Sequence, residues 1–317
     1  MKIVKYMAGG TIIIFLILSV IPYLITIQSE TFNLEKPYYN SMFVDVADTR
    51  LHYRVWKSED KRGNILLVHG LGGSTFSWEK TAEILNDNGY FVVAVDLPAF
   101  GYSSRESGFD HSQENRSELL WEFVDKIENS RLIGHNVSWT LVGHSMGGGT
   151  VATMAVAKEN KVKEVILVAG ALFNRDRSLT SLVLKYPPAS KWMEVLLNRL
   201  LINEKRVEEI LLSAYGRQPD EREVNGYLIP LKIEGTERAL VDMVKSAGSI
   251  DFNSYKNISV PVYGVWGTED KWVELDQADR VERILPHFNL YTIEGAGHMA
   301  METHVEECTD IILNLID

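Results

Sequence analysis

A serine between two glycines, in Gly143-His144-Ser145-Met146-Gly147, is the residue of this chain best placed for chemistry. The apolar run at residues 139–142 precedes it, and a stretch rich in small residues follows it. This order predicts a sharp turn between a strand and a helix, with Ser145 at its apex in a strained backbone conformation. The first N–H groups of the helix would face any negative charge that forms beside Ser145. The pattern therefore predicts a serine nucleophile for acyl transfer.

Four segments of the chain together resemble the α/β-hydrolase-fold proteins, over about residues 42–317. They are His69-Gly70-Leu71-Gly72-Gly73, Asp96-Leu97-Pro98-Ala99-Phe100-Gly101-Tyr102-Ser103, Gly143-His144-Ser145-Met146-Gly147-Gly148 and Gly295-Ala296-Gly297-His298. The resemblance implies an α/β fold with a mostly parallel central sheet, helices on both of its faces and an inserted helical cap. It also implies a triad in the chain order serine, acid, histidine. Serine at the turn, rather than aspartate, excludes the alkyl-enzyme chemistry of haloalkane dehalogenases and epoxide hydrolases.

The resemblance also assigns the acid and the base of the triad. His298 follows the last predicted strand, where the base of the family lies. Asp270 lies in the loop after the preceding strand, which resembles the acid loop of the family. This acid would accept the N–H of the histidine and so fix its tautomer. Glu269 and Asp251 are the alternatives for the acid.

Stabilisation of a tetrahedral intermediate needs two backbone N–H groups that point at the developing oxyanion. Met146, the residue after the nucleophile, would supply one of them. The resemblance assigns the other to Leu71, in the glycine-rich loop after the first parallel strand. No metal and no organic cofactor is needed for this chemistry.

Short apolar runs, each followed by a helical pattern, recur along the chain after a hairpin predicted at residues 41–56. The runs occupy residues 64–68, 90–95, 139–142, 162–168, 260–266 and 288–293. Unbroken Val, Ile and Leu strands that alternate with helices indicate a parallel sheet buried on both faces. The predicted domains are an N-terminal anchor at residues 1–29, a hydrolase core at 30–171 and 251–317, and a helical cap at 172–250.

The predicted cap is nearly neutral, with 12 basic and 11 acidic residues between Ala171 and Ile250, whereas the whole chain has a formal net charge of −11. Its apolar and aromatic side chains suit the lining of an acyl pocket. The same side chains also suit the packing of the cap helices on the core. The candidate substrate-binding residues are Phe173, Trp192, Met193 and Tyr215.

The N-terminal segment carries no charge from residue 7 to residue 27. A helix of this length would span about 31 Å, close to the hydrocarbon thickness of a bilayer, roughly 30 Å. The length and the lack of a small-x-small cleavage site favour an uncleaved transmembrane anchor over a signal peptide. Lys2 and Lys5 precede the segment, and Glu30 and Glu35 follow it. The positive-inside rule therefore predicts a cytoplasmic N-terminus and an extracytoplasmic catalytic domain.

The composition narrows the function further. The 317 residues suit one large α/β domain with an insertion, and 43 Asp and Glu against 32 Lys and Arg argue against a nucleic-acid-binding protein. The single cysteine, Cys308, excludes an internal disulfide and a cysteine-rich zinc site.

The sequence thus predicts a membrane-anchored serine hydrolase that cleaves carboxylic esters, with lipid-like or acyl molecules as candidate substrates. Its expected partners are a small ester or acyl molecule and, through residues 7–27, a membrane. A C–C bond hydrolase, a proline-type aminopeptidase or an acyltransferase would use the same triad. A non-catalytic anchored binding protein is the alternative outside the enzymes, and such proteins usually lack a member of the triad.

Overall fold

A computed structural model of the chain describes residues 2–29, 36–60, 62–130, 137–173, 179–246, 252–285 and 287–316, with side chains from residue 13 onward. The described residues form one eight-stranded sheet in the order β1-β2-β4-β3-β5-β6-β7-β8. The strands are β1 Ser41–Val46, β2 Thr49–Trp56, β3 Asn64–Val68, β4 Phe91–Val95, β5 Trp139–His144, β6 Val162–Val168, β7 Val262–Gly267 and β8 Phe288–Ile293.

Most of the sheet is parallel. The hairpin β1–β2 is antiparallel and pairs antiparallel with β4, whereas the pairs from β4 through β3, β5, β6 and β7 to β8 are all parallel. The observed strands coincide with the predicted apolar runs to within two residues. The α/β fold with a mostly parallel sheet is therefore confirmed. Because parallel strands end at the same edge, the loops after β3, β5, β7 and β8 meet there.

The central strands of the sheet are buried on both faces. In β3, Leu66 and Val68 belong to one apolar cluster, and Ile65 and Leu67 belong to the other. A fully buried side chain of this kind contributes roughly 1.5–3 kcal/mol to stability. The helices α2 Glu79–Asp87 and α12 Val305–Ile316 cover one face, and α3 Gln113–Asn129, α4 Met146–Ala157 and α10 Asp276–Ile284 cover the other.

Among the described residues of the region predicted as the cap, between β6 and β7, there are five α-helices. They are α5 Leu179–Val183, α6 Pro187–Leu200, α7 Glu204–Tyr215, α8 Glu221–Leu231 and α9 Thr236–Ser246. Two of them begin at side-chain caps, because Asn203 accepts from the backbone N–H of Arg206 and Asp220 forms a capping box with Glu223. The predicted end of the cap at residue 250 lies outside the described residues.

The N-terminal helix α1, Lys2–Leu24, packs against α6 of the cap. The indole Nε1 of Trp192 donates a hydrogen bond of 2.8 Å to the carbonyl oxygen of Leu18. In the part of the chain that the structure describes, no helix has both the length and the apolar character needed to cross a membrane. The structure therefore does not support the predicted transmembrane span at residues 7–27.

Candidate active site

Ser145 lies at the turn between β5 and α4. Its backbone is in a strained region, with φ 50° and ψ −120°, which side-chain-bearing residues rarely adopt. The backbone N–H of Ser145 donates to the carbonyl oxygen of Val168 at 3.0 Å, and its own carbonyl oxygen accepts from the N–H of Ala171 at 2.8 Å. These bonds to the neighbouring strand and its loop hold the strained turn in place.

The glycines on either side of Ser145 are required by close backbone contacts. A Cβ atom on Gly143 would lie 2.4 Å from the carbonyl oxygen of Gly147, and one on Gly147 would lie 2.4 Å from that of Val68. Any side chain at either position would therefore push α4 away from β5 or from β3. The sharp turn predicted between a strand and a helix is therefore present, with Ser145 between the end of β5 and the start of α4.

His298 and Asp270 are joined by a hydrogen bond. Nδ1 of His298 lies 2.8 Å from Oδ2 of Asp270, and both side chains are buried. The other oxygen, Oδ1, accepts from the backbone N–H groups of Trp272 at 2.8 Å and Val273 at 3.0 Å. The Trp272 ring also stacks on the His298 ring, with centroids 5.6 Å apart. Because the carboxylate accepts at Nδ1, the remaining nitrogen Nε2 is left to accept a proton.

The loops that carry the acid and the base are bonded to one another. The backbone N–H of Glu269 donates to the carbonyl oxygen of Ala296 at 2.9 Å, and that of Thr268 donates to Ile293 at 3.0 Å. The side chain of Glu269 is exposed, whereas Asp270 points inward to His298. Asp251, the second alternative for the acid, lies outside the described residues.

The glycine-rich loop after β3 lies against the nucleophile. A Cβ atom on Gly70 would be 3.0 Å from the Cβ of Ser145, so Leu71 follows a residue in near contact with the serine. His69 braces this loop, because its Nδ1–H donates to the carbonyl oxygen of Gly70 at 2.7 Å and its Nε2 accepts from the N–H of Leu97 at 3.0 Å. Burial lowers the pKa of His69, so the ring stays neutral and can play both parts.

Met146 is the first residue of α4, where backbone N–H groups have no partner four residues earlier in the helix. The N–H of Met146 thus belongs to the start of α4, and the N–H of Leu71 belongs to the glycine-rich loop after β3. These are the two segments that were predicted to bind the oxyanion. Both Leu71 and Ser145 line the same cavity. The arrangement provides a histidine held by a carboxylate, a serine at a helix N-terminus and an adjacent glycine-rich loop, which together suit acyl transfer.

His144 connects the nucleophile turn to the base. Its Nε2–H donates to the carbonyl oxygen of His298 at 3.0 Å, and the two rings lie 4.6 Å apart. Burial holds the pKa of His144 well below its usual value, so it is a neutral tether and not a second base.

Asp96 supports the same edge of the sheet. Its carboxylate accepts from the backbone N–H groups of Thr75 at 2.6 Å and Tyr102 at 2.7 Å, and it lies 2.7 Å from Nδ1 of His52. Burial alone would raise the pKa of Asp96, but the contact with His52 holds it below its ordinary value. This carboxylate is surrounded by loop and strand partners, so its part is structural.

A cavity of about 570 Å³ opens between the core and the cap. Its core side includes Leu71, Ser145, Trp272 and His298, and each of the five cap helices contributes to its wall. The cap residues that line it are Thr180, Leu184, Met193, Leu197, Leu201, Ile202, Val207, Ile210, Leu211, Ala214, Tyr227, Leu231, Leu240, Val241, Met243 and Val244. Among the described lining residues there is no Lys, Arg, Asp or Glu, so this is an apolar site.

Of the four predicted substrate-binding residues, Met193 lines the cavity. Phe173 instead packs on Phe252 with ring centroids 5.0 Å apart, and Trp192 faces α1. Tyr215 is buried between cap and core and donates to Glu302 at 2.8 Å. The structure thus places three of the four predicted residues away from the cavity.

Several cavity residues were missed by reasoning from the sequence. Leu201 is one of them: it continues, at intervals of four, the row of Met193 and Leu197 along one face of α6 into its end. Val207 and Leu211 have the same spacing in α7. This spacing is readable in the sequence. It marks an apolar helix face without saying whether that face meets the core or a cavity.

Residues 63–305 match the family described as the alpha/beta hydrolase fold. The uncharacterized hydrolase YugF of Bacillus subtilis is 25% identical over 257 residues, which cover 80% of this chain and 90% of that protein. A 2-hydroxy-6-oxononadienedioate/2-hydroxy-6-oxononatrienedioate hydrolase of Burkholderia vietnamiensis is 23% identical and covers 87% and 95%. The human monoacylglycerol lipase ABHD6 is 23% identical and covers 86% and 81%.

The solved structure of a membrane phospholipase A has the same fold. It superimposes with a TM-score of 0.70 at 20% sequence identity and covers 100% of this chain and 98% of that chain.

Proposed function

Because the chain belongs to the α/β-hydrolase fold family, we propose that it is a serine hydrolase that cleaves carboxylic esters with a long apolar acyl group. The observation that carries the proposal is the apolar cavity of about 570 Å³ that contains both Ser145 and His298. The cavity is many times larger than one water molecule, which occupies roughly 30 Å³ in the liquid, so it has room for an extended acyl chain. The name of the human relative, a monoacylglycerol lipase, agrees with such a substrate.

In the proposed reaction, Nε2 of His298 takes the proton of the Ser145 hydroxyl as its oxygen attacks the ester carbonyl carbon. Asp270 keeps the other ring nitrogen protonated and stabilises the imidazolium that forms. The imidazolium then gives its proton to the leaving alkoxide, which departs as an alcohol and leaves an acyl group on Ser145. Water, deprotonated by His298, attacks this acyl-enzyme and releases the carboxylic acid.

The backbone N–H groups of Leu71 and Met146 are proposed to stabilise the negative oxygen of each tetrahedral intermediate. The strained backbone of Ser145 presents its side chain at the N-terminus of α4, where the helix dipole favours negative charge. Removal of one such donor costs about 3 kcal/mol of transition-state stabilisation in serine hydrolases.

The charge of the cavity argues against two of the alternatives. The Burkholderia relative is named for a substrate with two carboxylate groups, and the described lining residues offer no Lys or Arg to neutralise them. A proline-type aminopeptidase would need an acidic group for the free amine of its substrate, and the described lining has no Asp or Glu. An acyltransferase differs only in the acceptor of the acyl group, so product analysis in the presence of an alcohol separates it from a hydrolase.

We also propose attachment to a membrane through the exposed apolar surface of α1, with the catalytic domain on the extracytoplasmic side. Support comes from the surface of α1, where each residue from Ile13 to Leu18 is between 50% and 60% exposed and apolar. Fractionation of cells should recover the full chain with membranes and a variant that lacks residues 1–29 in the soluble fraction. External protease should degrade the catalytic domain of the full chain in intact cells, and protection from it would contradict the orientation.

The test of the proposed reaction is hydrolysis of p-nitrophenyl esters from acetyl to hexadecanoyl. We expect kcat/KM to rise with chain length until the cavity is filled, since each buried methylene contributes about 0.8 kcal/mol of transfer free energy. Equal rates on acetyl and long-chain esters would contradict the acyl pocket. No hydrolysis of any ester would contradict the proposed reaction.

A further inference from the structure

A carboxyl group outside the proposed triad links the cap to the core. Glu302 lies on the short helix α11, Ala300–Thr303, which starts two residues after His298. Its Oε2 accepts a hydrogen bond of 2.8 Å from the hydroxyl of Tyr215, at the end of α7. Its Oε1 accepts from the hydroxyl of Tyr227 on α8. One side chain of the core thus binds two helices of the cap.

The same end of α7 is also hydrogen-bonded to the turn that contains His298. The backbone N–H of His298 donates to the carbonyl oxygen of Ala214 at 2.9 Å, one residue before Tyr215. Ala214 and Tyr227 both line the cavity. A displacement of α7 at this point would therefore move the cavity wall and the backbone of the proposed base together.

The network continues to the glycine-rich loop after β3. The hydroxyl of Tyr227 lies 3.0 Å from Oγ of Ser77, in the 3₁₀-helix Thr75–Trp78. A Cβ atom on Gly73 would lie 3.0 Å from that same Oγ, so the serine packs directly on the loop that contains Leu71. Glu302 and Tyr227 thereby connect the histidine turn to the loop assigned to the oxyanion.

We propose that Glu302 is a positioning residue, which holds α7 and α8 of the cap against the turn of His298 and so sets the geometry of the cavity and of the base. The inference rests on the proposed function of Ser145 and His298. Glu302 touches no substrate in this proposal, because it acts through Tyr215, Tyr227 and the turn that it shares with His298.

The carboxyl group of Glu302 changes charge in the neutral range. Burial raises its pKa to about 7, although the hydrogen bonds from Tyr227 and Tyr215 lower it. A small cleft beside it, of about 20 Å³, has room for about one water molecule through which a proton can exchange. The titratable and charged groups around it are Glu79 and Lys80 on α2, Arg222, Glu223 and Tyr227 on α8, Tyr215 at the end of α7, and Arg217 in the connection that follows.

The link should be stronger when Glu302 is ionised. A carboxylate accepts from both tyrosines, and charge-assisted hydrogen bonds are about twice as strong as neutral ones. A protonated Glu302, like a glutamine in its place, is a neutral group with weaker acceptors. The effect of Glu302→Gln should therefore depend on pH, which a purely structural contact would not produce.

The experiment compares kcat/KM of Glu302→Gln with that of the wild type on p-nitrophenyl decanoate between pH 5.5 and 8.5. Rates are expressed per Ser145 that reacts with a fluorophosphonate, so loss of folded protein does not enter. We expect a ratio near 1 at pH 5.5 and a loss of about fivefold at pH 8.5, in line with the difference between charged and neutral hydrogen bonds. A ratio that stays constant or rises with pH overturns the inference.

Tyr215→Phe is the second variant, and Tyr186→Phe is its matched control. The first removes one donor to Glu302 and should show the same trend with pH. The second loses only the contact of Tyr186 with Ser19 of α1 and should match the wild type at every pH. If Tyr215→Phe behaves like the control, the inference is wrong even where Glu302→Gln fails to fold.

A readout without catalysis separates this inference from the proposed function. Trypsin cleavage after Arg217, in the exposed connection between α7 and α8, reports opening of the cap. We expect faster cleavage in Glu302→Gln than in the wild type at pH 8. Equal rates would overturn the inference, whether or not the wild type hydrolyses esters, whereas faster cleavage in a protein without esterase activity would contradict the proposed function alone.

Discussion

The backbone N–H of His298 donates a hydrogen bond of 2.9 Å to the carbonyl oxygen of Ala214 in the cap. The proposed base therefore depends on the cap for its position, although its acid partner and its nucleophile belong to the core. A Cβ atom on the preceding residue, Gly297, would lie 2.6 Å from that same carbonyl oxygen. The turn of the base and the end of α7 are in contact with no space between them.

Gly297→Ala should separate the turn of His298 from α7. We expect kcat on a short ester to fall on the order of 10- to 100-fold, because a displacement near 1 Å at a catalytic group has an effect of that size. Gly63→Ala is the control, since its Cβ would meet only the ring of Tyr90 at 3.3 Å. An unchanged kcat in Gly297→Ala, with normal folding, would show that the contact with Ala214 does not position the base.

Asp270→Asn should remove the carboxylate that fixes the tautomer of His298. We expect kcat to fall about 10⁴-fold, as in other enzymes with this triad. Glu269→Gln changes the adjacent exposed carboxylate and should keep the activity of the wild type within about twofold, as surface substitutions usually do. The opposite result, with Glu269 essential and Asp270 dispensable, would transfer the role of the acid to Glu269.

Leu197→Trp should shorten the acyl cavity. Leu197 lines it, whereas its neighbour Leu196 lies on the exposed side of the same helix. We expect Leu197→Trp to lower kcat/KM for hexadecanoyl esters at least tenfold relative to acetyl esters, and Leu196→Trp to leave that ratio unchanged. Identical chain-length profiles for both variants would place the acyl chain elsewhere.

Asp96→Asn should alter the dependence of stability on pH. The pKa of Asp96 is lower in the folded protein than its ordinary value of 3.8, so its ionisation stabilises the fold above about pH 4. This contribution disappears as the pH falls through the folded-state pKa. We expect Asp96→Asn to lower the free energy of unfolding by about 1–3 kcal/mol at pH 7, with the difference shrinking below pH 4. Urea unfolding at pH 3, 5 and 7 measures it, and a difference that is the same at every pH would contradict the role of the charge.

The sheet could be predicted almost residue by residue. Strands such as Asn64–Val68 and Phe288–Ile293 are short apolar runs bounded by polar or glycine residues, and they lie where the sequence placed them. Ser145 followed from its motif, and the resemblance to the α/β-hydrolase family indicated Asp270 and His298. All three follow strands whose ends meet at the same edge of the sheet.

The interior of the cap could not be predicted in the same way. Phe173 and Tyr215 are aromatic residues of the kind that often line pockets. In the structure, however, Phe173 packs on Phe252 and Tyr215 donates a hydrogen bond to Glu302. The direction in which a helix side chain points depends on how five short helices pack, and amphipathic spacing does not determine it. Glu302 looks like an ordinary solvent-exposed helix residue in the sequence. Its partners Tyr227 and Tyr215 lie 75 and 87 residues away along the chain, so no local pattern indicates the contact.

Reaction with a fluorophosphonate probe tests the central claim most directly, namely that Ser145 is an activated nucleophile in the wall of the apolar cavity. We expect one equivalent of probe to bind the wild-type protein, peptide mass spectrometry to locate it on Ser145, and Ser145→Ala to remain unlabelled. A folded wild-type protein that does not react, or that reacts at another residue, would contradict the account.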